Sequence, residues 1–158
     1  MNIVSVLKRL SPVREVHAHC DIPCGIYDPI AAKIAAQTVQ KMVMRIQALK
    51  QPTTDAEKAA YQNSLSRYIA VKEHHADLCK KEIDILWHDY FKPEHLTKYP
   101  SLHTDVWNTT KLASKTKQSV DLEAAKQLVA SVDKIATMFW DSKGVKYSDP
   151  NEAVRFGS

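Results

Sequence analysis

Glycine is scarce, with three residues in 158. An all-β fold needs many more tight turns than three glycines supply, so that class is excluded. Cysteine is equally scarce. Cys20, Cys24 and Cys79 are an odd, low count that does not make a secreted disulfide framework. No Lys/Arg run is long enough to form a nucleic-acid patch. The balance of 22 Lys+Arg against 18 Asp+Glu gives only +4, which suits attraction of a small anion. The longest uncharged apolar run falls far short of a bilayer, so the chain reads as soluble, with neither membrane nor nucleic acid as partner. Hydrophobic residues at 44% and charged residues at 25% exclude disorder as a description of the whole chain. A chain of 158 residues is one domain, able to bury about two-thirds of its unfolded surface without disulfide staples.

What is present is helical periodicity. Asp28-Pro29 has the chemistry of a helix start, an N-cap acceptor followed by a residue suited to the first turn. Ile30, Ile34, Val39, Met42, Val43, Ile46 and Leu49 then recur at steps of three and four as far as Lys50. Gln51-Pro52-Thr53-Thr54 interrupts them, and Thr54 with Glu57 has capping-box spacing. A second helix is predicted from about Asp55 to Tyr90, with Tyr61, Leu65, Tyr68, Ile69, Leu78, Ile85, Leu86 and Trp87 inward. Phe91–Pro100, with two prolines, reads as a loop. A third helix is predicted near Ser101–Ser119 through Leu102, Val106 and Leu112. A fourth starts near Asp121 and carries Leu122, Ala125, Leu128, Val129, Val132, Ile135, Ala136 and Phe139. Residues 144–158 read as a C-terminal tail. The whole predicts an all-α chain, an antiparallel four-helix bundle over residues 29–143.

Residues 1–18 carry Lys8, Arg9 and Arg14 against Glu15, half of the net positive charge. Val16-His17-Ala18 imitates a secretory cleavage site. However, the apolar stretch Ile3–Leu7 is too short for a signal, and the basic residues follow it instead of preceding it. A non-secretory pro-segment fits better, and the cytoplasm is the expected compartment.

The chemistry concentrates in His19-Cys20-Asp21-Ile22-Pro23-Cys24-Gly25-Ile26-Tyr27-Asp28-Pro29. Two thiols within five residues can grip one soft or borderline metal. A structural zinc site normally takes four ligands in two separated pairs, and no second pair follows. The hook at residues 19–28 therefore has to complete its own coordination sphere, which it can do if the chain begins at His19. The free α-amine and the Cys20 amide nitrogen then close one chelate ring. The same amide and the Cys20 sulfur close another, the Cys24 sulfur fills the fourth corner, and the His19 imidazole approaches axially. Such a planar N₂S₂ set suits Ni(II) or Cu(II) better than zinc. A disulfide between Cys20 and Cys24 is the competing use of the same thiols.

The segment resembles the metal hook of nickel-containing superoxide dismutases, His-Cys-Asp-x-Pro-Cys-Gly-x-Tyr-Asp-Pro at the start of the mature chain. Leu86-Trp87-His88-Asp89-Tyr90-Phe91-Lys92-Pro93 is similar to a second motif of that family, followed by a similar Lys98-Tyr99-Pro100 and Leu102-His103. The resemblance spans about residues 19–140. It implies a four-helix subunit in a homohexamer, released from a pro-peptide by a maturation peptidase that cuts before His19. It also implies one Ni per subunit on His19, Cys20 and Cys24, and conversion of superoxide to dioxygen and hydrogen peroxide by Ni(II)/Ni(III) cycling. Asp21 and Tyr27 would shape the substrate approach, Tyr90 would support the pocket, and Lys92 would draw in the anion. Where better-known members place a Glu and an Arg behind the axial imidazole, this chain has Ala35 and His75. The alternative is a nickel- or copper-binding protein without turnover. A carboxylate-bridged di-metal bundle lacks its Glu-x-x-His.

Overall fold

The computed structural model describes residues 25–156. The described residues are all-helical: α1 (Ile30–Gln47), α2 (Asp55–Ile85), a π-helical turn (Leu86–Tyr90), α3 (Pro93–Lys98), α4 (Leu102–Gln118), α5 (Leu122–Ser142) and α6 (Glu152–Phe156). The long helices pack as a closed square, α1 on α2 and α5, α4 on α2 and α5. Short connections between them impose the antiparallel up-down order.

The start signals of α2 and α5 behave as the sequence predicts, and that of α1 falls one residue later, with Pro29 and not Asp28 at the N-cap. Thr54 Oγ1 accepts from Glu57 N–H at 3.3 Å, and the Glu57 carboxylate accepts from Thr54 N–H at 3.1 Å, a complete capping box. Asp121 accepts from Ala124 N–H at 3.0 Å. Asp28 accepts from Ile30 N–H at 2.8 Å, and α1 begins just after the buried Pro29.

The predicted apolar stripes hold on α5 and, with Leu102 and Val106 buried and Leu112 half-buried, on α4; they shift on α1 and α2. Every inner residue expected on α5 is buried except the half-buried Leu122. On α1 the buried face is Ala32, Ala35, Ala36, Val39 and Val43, whereas Ile30 and Ile34 are exposed. Small residues let α1 lie close to α2 and α5, and the bulky isoleucines are turned outward. On α2 the buried set is Lys72, Ala76, Cys79 and Ile83, one turn apart throughout. Tyr61, Leu65, Tyr68 and Ile69 are only half-buried. At about 1.5 Å per residue, α2 outruns α4 by several turns, so its N-terminal half lies beyond the four-helix section.

Lys72 marks where that section ends. Its buried ammonium donates to the carbonyls of Thr116, Lys117 and Ser119 at 2.7, 2.6 and 3.0 Å. These are carbonyls at the C-terminus of α4, which lack partners within the helix. A cation there also meets the negative end of the helix dipole. Burial pulls the Lys72 pKa below the ordinary lysine value, so the three acceptors are what offsets its desolvation.

Two expectations are corrected. Phe91–Pro100 is not a plain loop, because Pro93 occupies a first-turn position and starts α3. Of the expected tail at residues 144–158, the described part, residues 144–156, packs back on the bundle and ends in α6. Gly144, at φ +73°, closes a Schellman turn in which its N–H bonds Asp141 O at 3.0 Å and Val145 N–H bonds Trp140 O at 2.9 Å. The chain then folds back. Lys33, fully buried on α1, pairs with Asp133 and, at 3.0 Å, with Glu152 of α6. Tyr147 donates to Asp133 at 2.9 Å, Arg155 to Gln37 at 3.1 Å, and Lys41 to the Phe156 carbonyl at 3.1 Å. The periodicity of residues 144–158 carries no helix signal, and these are polar contacts made to distant parts of the chain.

Replacing Lys72 with Met retains the stem and orphans three carbonyls. The expected loss is about 2–4 kcal/mol of unfolding free energy, read as a lowered midpoint in urea or on heating.

Candidate functional site

The site is built where the chain enters α1 and where α2 ends. Gly25 has φ +74°, a conformation that costs glycine little and other residues more. Two residues on, the half-buried Tyr27 packs against Tyr90, with ring centroids 5.7 Å apart. Tyr90 closes the π-helical turn, in which Phe91 N–H bonds Leu86 O at 3.0 Å, one residue wider than α-helical pairing. The turn sets Tyr90 beside Tyr27 while Phe91 enters the core.

The Tyr90 ring is held on several sides. Phe139 of α5 lies 4.4 Å away and His95 of α3 stacks nearly parallel at 5.4 Å. Lys143 Nζ stands 5.1 Å from its centroid. The phenol oxygen meets Ser142 Oγ at 2.6 Å. His95 is the third residue of α3, and its Nδ1 accepts from Lys92 N–H at 2.9 Å. That bond puts the ring hydrogen of a neutral His95 on Nε2.

Around these residues opens a cavity of about 390 Å³, lined by Gly25, the aromatic rings of Tyr27, Tyr90 and His95, and four charged side chains, Lys92, Lys143, Asp89 and Glu94. Three of the sequence-predicted site residues, Tyr27, Tyr90 and Lys92, are thus brought together. His19, Cys20, Asp21 and Cys24 lie outside the described residues, six or fewer positions from the cavity wall along the chain. Sequence reasoning missed Ser142 and Lys143. Both precede Gly144, but the sequence carries no sign that the last turn of α5 reaches the end of α2. His95 bonds the Lys92 N–H at the start of α3 and also stacks on Tyr90.

Among the described residues no group of three or more His, Cys, Asp or Glu side chains could hold a metal. Cys79 is sealed in the core, and burial pushes its thiol up to about 12, so it stays protonated. The thiols that remain are Cys20 and Cys24, next to His19 in the sequence, and this donor chemistry fits a nickel-type ion. The two divergent positions supply neither a carboxylate nor a guanidinium. Ala35 is buried in the core, and His75 Nδ1 bonds the Val71 carbonyl at 2.9 Å.

The chain was compared with known families, curated proteins and solved structures. A family model described as nickel-containing superoxide dismutase matches residues 14–143. A protein named superoxide dismutase [Ni] from Streptomyces seoulensis is 37% identical over 142 residues, covering 87% of this chain and 98% of the relative. Its namesake from Streptomyces coelicolor is 37% identical over 139 residues, with the same coverage. A native nickel superoxide dismutase structure aligns with a TM-score of 0.69 at 36% identity, over 79% of this chain and 99% of that one. A structure with nickel ligation of the oxidised state gives 0.70 at 35%, over 80% and 100%.

Folded protein treated with iodoacetamide at about pH 8 is expected to leave Cys79 unmodified, and urea-unfolded protein to react there. Peptide mass spectrometry distinguishes the two. Labelling of Cys79 in the folded state contradicts its burial.

Proposed function

The chain belongs to the nickel-containing superoxide dismutase family, and we propose that its active centre joins the hook at His19–Asp28 to the Tyr27–Tyr90–Lys92 cavity. The protein is an oxidoreductase that converts superoxide to dioxygen and hydrogen peroxide with nickel as cofactor. A carrier of nickel or copper without turnover is not favoured, because the matched relatives are themselves named as dismutases.

In this reading the His19 amine and imidazole, the Cys20 amide and sulfur and the Cys24 sulfur hold one Ni per subunit. When bound, the nickel supplies one-electron chemistry by cycling between +2 and +3. The remaining work falls to this chain's own groups. Lys92 and Lys143 line the cavity together with Asp89 and Glu94, and among the described residues neither lysine is in an ion pair with them. An anion approaching them gains potential that salt screens. Tyr27 and Tyr90 wall the cavity with aromatic surface and narrow the space left to water. Asp21 adjoins the ligands and shapes the same approach. The observation that carries the reading is that the end of α2 and the root of the hook, far apart in sequence, meet through Tyr27 and Tyr90.

The finer points belong to the same proposal. Residues 1–18 act as a pro-peptide removed by a maturation peptidase, because the chelate needs a free amine at position 19. The subunits assemble as a homohexamer. The half-covered stripe of Tyr61, Leu65, Tyr68 and Ile69, on the part of α2 that overhangs the bundle, supports self-association. Localisation to the cytoplasm rests on the composition of residues 1–18.

Native mass spectrometry of protein from nickel-supplied cells with their own processing machinery should find a subunit starting at His19, with one nickel, in a hexamer-sized assembly. Full activity in a chain still carrying residues 1–18, or in Cys24→Ser, would refute the ligand set. Lys92→Gln is expected to lower kcat/KM about 2- to 5-fold at low salt, with the deficit closing as ionic strength rises toward about 0.5 M. A rate deficit that ignores salt removes Lys92 from the steering role.

A further inference from the structure

The end of α5 decides which way the Tyr90 hydroxyl points. A serine hydroxyl carries one hydrogen, and a backbone carbonyl can only accept. Ser142 Oγ lies 2.6 Å from the Phe139 carbonyl and donates its hydrogen there. The contact between Ser142 Oγ and the Tyr90 oxygen, also 2.6 Å, therefore has the phenol as donor. The chain of bonds runs one way, from Tyr90 to Ser142 to the Phe139 carbonyl. The carbonyl end is fixed because it belongs to the last turn of α5.

The ring has little freedom to escape this direction. Phe139 at 4.4 Å, His95 at 5.4 Å and the Lys143 ammonium at 5.1 Å hold it in place, while Ser142 Oγ accepts its hydrogen bond. What Tyr90 presents to the cavity is then a phenolic lone pair and not a hydrogen. A group that accepts from the cavity side binds water or a protonated oxygen species, and is poorly placed to donate to a bare anion. We propose that Ser142 is a positioning residue of the dismutase centre, holding the Tyr90 hydroxyl turned away from the cavity so that Tyr90 acts there as a hydrogen-bond acceptor. The proposal rests on the reading of Tyr90 as part of the active centre.

A double-mutant cycle on the processed, nickel-loaded protein tests it, using Ser142→Ala, Ser142→Thr, Tyr90→Phe and the Ala/Phe double variant. Superoxide decay is followed by stopped flow, with nickel content and thermal midpoint measured for each variant. Ser142→Ala, with nickel retained, is expected to change kcat about 3- to 10-fold. Ser142→Thr, which keeps the hydroxyl, should restore the parent rate. In the Tyr90→Phe background, Ser142→Ala should add no further change. If Tyr90→Phe is slow while Ser142→Ala keeps the parent rate, Ser142 has no part in positioning the phenol. An effect of Ser142→Ala that persists undiminished beside Tyr90→Phe would show that it acts through the helix end, and would overturn the proposal. A Tyr90→Phe enzyme as fast as the parent removes Tyr90 from the centre, and this proposal with it.

Discussion

The proposed centre rests on one contact between aromatic rings, Tyr27 against Tyr90. Ordering each residue of a chain costs about 1–2 kcal/mol of backbone entropy alone, so a short segment holds its place only through contacts such as this one. Among the described residues the bundle makes its hold at Tyr27, two residues past Gly25, and the partner ring comes from the π-turn that ends α2. Asp28 fixes the next step by accepting from Ile30 N–H, so the hook's root and the first turn of α1 are set together.

This explains why the bundle spends three helix ends on one tyrosine. The π-turn delivers Tyr90, α3 delivers His95 against its face, and α5 delivers Phe139, Ser142 and Lys143. Helix ends can offer both polar side chains and backbone carbonyls at one place, which a helix middle cannot. The far end of the bundle solves a related problem with a different group. There the Lys72 ammonium collects the carbonyls at the end of α4, so a helix end is satisfied by a charge inside the core.

The architecture and the metal chemistry were legible to different degrees. The four long helices, the Thr54/Glu57 box and the Asp121 cap follow from period and local hydrogen-bonding chemistry, which act within a few residues. The inner face of α1 followed at Val39 and Val43 but not at Ala32, Ala35 and Ala36, because alanine packs tightly without being strongly apolar, and the isoleucines dominated the pattern. Tyr27, Tyr90 and Lys92 came from resemblance in two motifs, and the fold brings them together. Ser142, Lys143 and the stacking of His95 depend on where α5 ends relative to α2, a tertiary distance that no periodicity encodes. The buried lysines Lys33 and Lys72 were hidden for the same reason. A lysine reads as solvated until the carbonyls or carboxylates that surround it are known.

The C-terminal segment shows how such a charge extends the fold beyond the family's span, since the family match ends at residue 143. Lys33 is fully buried on the first turn of α1, and a lone ammonium there would be untenable without partners. Asp133 from α5 supplies one, and Tyr147 braces that carboxylate. Glu152 supplies the second, from the segment that Gly144 turns back over α1. The same segment borders a small cavity with Asp28, Ile30 and Trp140. The strap therefore grips the turn of α1 from which the hook departs, and its polar contacts stiffen the base on which the Tyr27–Tyr90 contact stands. A segment with no apolar periodicity of its own is ordered because a buried cation on another helix requires it.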